Sequence, residues 1–67
     1  MDVHDRLARN LRRLRQARDW SQEELAHHAD IHRTYVSDLE RGRRNPSIEV
    51  IERLAKGLDV KLGELLD

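Results

Sequence analysis

Two helix starts follow one another closely in this chain, and together they leave little freedom for any fold that is not helical. Ser21 is followed three residues on by Glu24, a capping box in which the serine hydroxyl meets the Glu24 amide and the glutamate reaches back to Ser21. Trp20 before that cap and Leu25 after it form a hydrophobic staple, which sets the angle at which the helix is entered. The spacing predicts a helix over 22–29, with Leu25, Ala26 and Ala29 giving a narrow face of small residues that lets another helix come close. Asp30 breaks it. Ile31 and Val36 then repeat the staple around a cap at His32, so a second helix runs over 33–41 with Val36 and Leu39 inward and Gly42 as the left-handed residue that ends it. The connection is only about three residues, the turn length of a helix-turn-helix. Val36 and Leu39 commit one side of the second helix to a core, and Arg33, Thr34, Ser37 and Asp38 lie on the side left over.

The flanking segments supply the core that this pair needs. Val3, Leu7, Leu11 and Leu14 make one apolar stripe on a helix over 3–18, whose other faces are mostly arginine. Asp2 and Asp5 near its start and Arg15 and Arg18 near its end match the helix dipole. Arg43, Arg44, Asn45 and Pro46 form a basic loop, after which Ser47 caps a helix over 47–58 that buries Ile48, Ile51, Leu54, Ala55 and Leu58. Val60, Leu62, Leu65 and Leu66 place a short fifth helix over 62–66. Gly57 and Gly63 are expected to weaken the last two helices by roughly 1 kcal/mol each relative to alanine, which leaves the C-terminal segment leaning on a partner for order. No strand-like alternation, repeat or linker interrupts the pattern, so residues 1–67 read as one all-α domain of five helices.

At 67 residues the chain is near the lower size at which a core holds a fold without disulfides or metal, so nearly every apolar residue must be buried or at an interface. Cysteine is absent, which excludes a disulfide framework, a thiolate zinc site and a cysteine nucleophile. No apolar run is long enough to cross a bilayer, and the first residues lack the order of a signal peptide, so the expected setting is the cytoplasm. His27, His28 and His32 straddle a helix end without an HExxH or carboxylate pattern and read as surface histidines, with no metal and no cofactor implied. Scattered serine, histidine and aspartate give no nucleophile arrangement, so no enzyme is expected. A formal net charge of zero argues at first against a polyanionic partner, yet the charge is unevenly placed: residues 1–18 are basic, residues 46–67 mildly acidic. Eleven of the thirteen basic residues are arginine, whose planar fork suits phosphate and guanine.

Three runs in order, Ser21-Gln22-Glu23-Glu24-Leu25-Ala26, Val36-Ser37-Asp38-Leu39-Glu40-Arg41-Gly42 and Asn45-Pro46-Ser47, resemble the lambda-repressor-like (XRE-type) helix-turn-helix family. That family includes phage repressors, small bacterial regulators and the controller proteins of restriction-modification systems, and the resemblance extends from about Leu7 to Leu66. It implies a compact five-helix domain with the helix-turn-helix at helices two and three, and dimeric binding to double-stranded operator DNA. Arg33 would then read guanine O6 and N7, Thr34 would touch a thymine methyl or a phosphate, and Ser37 would meet a base edge. Asp38 has two roles open to it: accepting from cytosine N4, or holding Arg33 in place while repelling phosphate. Gln22 resembles the family's phosphate clamp at a helix N-terminus, and His32, Tyr35, Arg41, Arg43, Arg44 and Asn45 would follow the backbone on the other side. Arg15 and Glu40 match a family ion pair that sets the angle of the reading helix. Val50, Leu62, Leu65 and Leu66 exceed what a monomer core needs and are expected at a dimer interface.

The departures from the family pattern are local. Asp30 and Asp59 stand where glycine is usual after a helix, and His32 where a cap is usually serine or threonine; a modest loss of stability is expected, since aspartate tolerates left-handed geometry. The resulting expectation is a homodimeric transcriptional regulator with no small-molecule ligand and no membrane partner. The alternative is an antitoxin-like interaction module for which DNA is secondary.

Overall fold

The computed structural model describes residues 2–67 and contains α1 (Val3–Ala17), α2 (Gln22–Ala29), α3 (Arg33–Glu40), α4 (Ile48–Leu58) and α5 (Leu62–Leu66), with no strand among the described residues. Each helix begins where a side chain or carboxylate can take up a free amide. Asp2 accepts from Asp5 N–H at 2.9 Å, Ser47 Oγ from Val50 N–H at 3.3 Å, and Glu64 reaches back to Lys61 N–H at 2.9 Å. Both halves of the Ser21–Glu24 box form, each at 3.0 Å, and His32 caps α3 by accepting from Thr34 N–H through Nδ1 at 3.1 Å. Arg18, Arg41 and Ser47 are cap residues, one position outside the helices expected for them. The Asp5 amide holds the Asp2 carboxyl below its ordinary range, so this cap persists at neutral pH and is lost as pH falls through that lowered value.

Left-handed residues end the helices as expected. Asp30, Asp59 and Gly42 adopt φ of 55°, 57° and 68°, and Asp19 joins them at 56° in the α1–α2 connection.

The core is built from Leu7 and Leu11 of α1, Leu25, Ala26 and Ala29 of α2, Val36 and Leu39 of α3, Ile51, Leu54, Ala55 and Leu58 of α4, and Leu65 of α5. Helix α2 packs on α3 and α4, while α1 packs on α3 and α5. The amphipathic pattern overreaches at two helix starts: Val3 is 44% and Ile48 56% exposed, because the first turn of a helix projects beyond the packed layer. It falls short at Leu65. That side chain is 0% exposed, sealed beneath α1, and is therefore core rather than dimer surface; Val50, Leu62 and Leu66 remain partly exposed.

Gly57 explains how α2 and α4 come so close. A Cβ at this position would lie 2.8 Å from the His28 carbonyl oxygen and 2.9 Å from its carbon, so the glycine read as a weak point in α4 is what admits the backbone of α2.

The polar residues of α1 close the fold in a way no periodicity signals. Asn10, buried, donates from Nδ2 to the Leu65 carbonyl at 3.0 Å, and Arg6 donates from Nε to that of Leu66 at 3.1 Å. The Arg18 guanidinium reaches the carbonyls of Leu58 and Leu14. Apart from the Leu14 carbonyl of α1, the groups met are the last carbonyls of α4 and α5, which have no partner within their own helices. Asn10→Ala is expected to destabilise the domain by about 1 to 3 kcal/mol by leaving the Leu65 carbonyl unsatisfied. Urea unfolding checks this: the midpoint should fall with the slope unchanged, and an unmoved midpoint would mean that water replaces the amide.

Candidate nucleic-acid interface

The attitude of α3 is set by Glu40, which is only 7% exposed although charged. Arg15 grips it with two parallel bonds, Nε to Oε2 at 2.6 Å and Nη2 to Oε1 at 3.0 Å, and donates a third from Nη1 to the Trp20 carbonyl at 2.8 Å. Gln22 adds Nε2 to Glu40 Oε1 at 3.1 Å. Arg15 of α1 and Gln22 of α2 thus converge on one carboxylate of α3, and Arg15 also holds the α1–α2 connection. The pairing raises the Arg15 pKa above its ordinary value, chiefly through the hydrogen bond to Glu40. The Arg15–Glu40 pair is where the family resemblance placed it. Gln22 occupies the first position of α2 as expected, but its amide is engaged with Glu40 in addition to any role at the helix N-terminus.

With α3 so fixed, its outward side carries Arg33 and Thr34, both exposed at the N-terminal end, and Ser37 and Asp38, both half-buried, a turn further on. Arg41 follows as the exposed C-cap. Gly42 then reverses the chain and Arg43 N–H returns to the Asp38 carbonyl at 2.9 Å, so the loop folds back along α3 instead of leaving it. This brings the Arg44 guanidinium over the Tyr35 ring, 4.3 Å from its centroid, with Nη2 3.3 Å from Asp38 Oδ2. The arginine that Asp38 holds is therefore Arg44, not Arg33. Arg43, Arg44 and Asn45 are all exposed, and Asn45 Oδ1 meets His4 Nε2 at 3.2 Å, which ties the loop to the start of α1.

Four arginines, Arg33, Arg41, Arg43 and Arg44, thus stand on α3 and its following loop with Asp38 as the acidic partner among them. Such an array suits a polyanion, and a helix N-terminus projecting from the domain suits a groove. The histidines take structural places. His32 is a cap, and His28 lies flat against Trp20 with ring centroids 4.0 Å apart. Among the described residues no group of three or more histidine or acidic side chains could hold a metal, and no helix is long and apolar enough to cross a membrane. A surface groove of about 550 Å³, lined by none of these four arginines, lies between Glu49, Glu52, Arg53 and Lys56 on α4 and Val60 and Leu62 toward α5.

Comparison with known proteins places this geometry among relatives. A helix-turn-helix family model matches residues 11–65. Control protein C.BamHI of Bacillus amyloliquefaciens is 55% identical over 47 residues, covering 70% of this chain and 58% of its own length. Among solved structures, a hypothetical transcription factor from Neisseria superposes with a TM-score of 0.95 at 44% identity, covering 98% of this chain and 76% of that one. The restriction-modification controller protein C.AhdI from Aeromonas hydrophila superposes with a TM-score of 0.89 at 42% identity, over 92% of this chain and 94% of that one.

Proposed function

The chain belongs to the helix-turn-helix family, and we propose that it is a sequence-specific regulator of transcription that binds a two-fold symmetric operator in double-stranded DNA as a homodimer. The observation that carries this reading is the locked α3: an outward N-terminal end bearing Arg33 and Thr34, held at one angle by the Arg15–Glu40–Gln22 network. A reading helix must enter the groove at a defined attitude, and base contacts specify only when that attitude is reproducible. Arg33 supplies the main base contact, with Thr34 and Ser37 beside it. Gln22, His32, Arg41, Arg43 and Asn45 set the register on the phosphates. Relatives named as control proteins and as transcriptional regulators support the assignment.

The homodimer rests on the α4–α5 side. Val50, Leu62 and Leu66 stay partly exposed on these helices, and the groove that Leu62 lines carries acids and bases on one helix, which a second copy can meet in the reverse order. Pairing through this side sets two reading helices in successive major grooves. Sedimentation that finds only monomer at high micromolar concentration would overturn the dimer.

Selection of bound duplexes from a random pool tests the whole reading, and a two-fold symmetric site should be recovered. Arg33→Ala is expected to relax one guanine position by about 1 to 3 kcal/mol while leaving the fold intact, measured as the affinity ratio of the matched and mismatched duplex. Neutralising Arg41 or Arg43 should weaken matched and mismatched duplexes alike and lower the slope of log affinity against log salt by about 1 for each phosphate no longer neutralised. A pool with no enriched sequence would refute sequence-specific binding.

A further inference from the structure

Asp38 and Arg44 do not sit as a phosphate-binding loop would leave them. A phosphate can be met by a mobile cationic side chain, whereas the Arg44 guanidinium is oriented twice, by the Tyr35 ring at 4.3 Å and by the Asp38 carboxylate at 3.3 Å. The backbone is built to deliver it there. Gly42, at φ 68°, turns the chain, and the bond from Arg43 N–H to the Asp38 carbonyl at 2.9 Å lays the next residue along α3. Asp38 thus anchors the loop through its main chain and the arginine through its side chain.

The carboxylate also weakens the phosphate assignment. It cancels much of the Arg44 charge that a phosphate would use, and brought close to a phosphate it would repel it. Behind a guanidinium that faces a base, the same carboxylate does the opposite, holding the fork in the plane that meets two acceptors on guanine. Arg44 remains 45% exposed at its side chain, so it still presents donors outward. Its position complements that of Arg33. Arg33 and Tyr35 are two residues apart and hence separated by roughly 200° around the helix, so the arginine stacked on Tyr35 flanks the opposite edge of the reading face.

We propose that Arg44 is a second base reader, carried on α3 by Tyr35 and aimed by Asp38, and that Asp38 is a positioning residue that reads no base itself. This deepens the reading of the chain as a sequence-specific DNA-binding protein and rests on it. The pair extends the recognised sequence beyond what the α3 N-terminus reaches, and makes the loop after α3 part of the specificity of the domain.

The test repeats the duplex selection with the full chain carrying Arg44→Lys, Asp38→Asn, and both. Arg44→Lys keeps the charge but not the fork. It should lose about tenfold in discrimination at one guanine position, distinct from the position relaxed in Arg33→Ala, with the salt slope unchanged. Asp38→Asn should lose preference at that same position, and the double variant should lose no more than either single one, because both act through one guanidinium. Unchanged thermal midpoints in both single variants separate aiming from folding. The proposal is overturned if Arg44→Lys selects the wild-type operator unaltered, if Asp38→Asn tightens all duplexes equally, or if Asp38→Asn relaxes a position of its own. Should the wild-type chain itself enrich no sequence, the parent reading fails before any variant is compared, and this proposal fails with it.

Discussion

Replacement of Glu40 by alanine is expected to cost about 3 to 5 kcal/mol, the usual penalty for removing one partner of a buried ion pair. The size follows from what the carboxylate serves. Its side chain is 5% exposed and it accepts from Arg15 twice and from Gln22 once, so its loss strands a guanidinium fork, itself only 13% exposed, and an amide. For a domain of this size that is a large share of a total stability of about 5 to 15 kcal/mol. Glu40→Gln keeps the shape and one acceptor and should cost less. Replacing Arg15 and Glu40 together by methionine should also cost less than Glu40→Ala, since no charge is then left buried alone. Chemical unfolding of the three variants checks the order, and a Glu40→Ala no less stable than the double replacement would contradict it.

Gly57→Ala is expected to destabilise the domain even though alanine favours a helix over glycine by about 1 kcal/mol. The new methyl would meet three backbone atoms, the His28 carbonyl oxygen and carbon and the Ala29 nitrogen, at 2.8 Å, 2.9 Å and 3.1 Å. Backbone cannot swing aside as a side chain can, so α2 and α4 must move apart across the packed core. Such overpacking costs about 1 to 3 kcal/mol and outweighs the gain in propensity. Gly63 provides the control, because a methyl there would meet only the Asp67 carboxylate, at an ordinary 3.5 Å. Gly63→Ala should therefore stabilise by about 0.5 to 1 kcal/mol. In thermal unfolding the two variants should move the midpoint in opposite directions, by about 4 to 8 °C per kcal/mol. A rise with Gly57→Ala would mean that the helices separate without loss.

These two glycines show where reading from sequence stops. In the chain each is a helix former of poor quality and nothing distinguishes them; only the crossing of α2 over α4 gives Gly57 its purpose. The same limit applies to Asn10. Its partner is a main-chain carbonyl, which every residue possesses, so no pattern of side chains points to Leu65. Capping boxes, staples and left-handed terminators are legible because their partners lie within a few residues, and the five helices follow from them. The reading face is legible by subtraction, once Val36 and Leu39 are assigned inward. The Arg15–Glu40 pair is visible only through family resemblance, since 25 residues separate the two. The stacking of Arg44 on Tyr35 is not legible, because it depends on the path of the loop after Gly42, and without that path Asp38 is paired with the wrong arginine.

The bonds from Asn10 to Leu65 and from Arg6 to Leu66 join residues 55 and 60 positions apart. On a ribosome, α1 is made first among the five helices, yet its Asn10 and Arg6 are the last to find their polar partners. Until α5 has cleared the exit tunnel, Asn10 and the part of α1 that α5 covers face solvent, and closing so long a segment carries an entropy cost before any contact rewards it. The nascent chain should consequently lack a finished α1–α5 seam while the helix-turn-helix itself, built on local signals, is already complete in sequence. The attitude of α3, set by Arg15, Gln22 and Glu40, can be fixed before α5 is free, and the α1–α5 seam closes last.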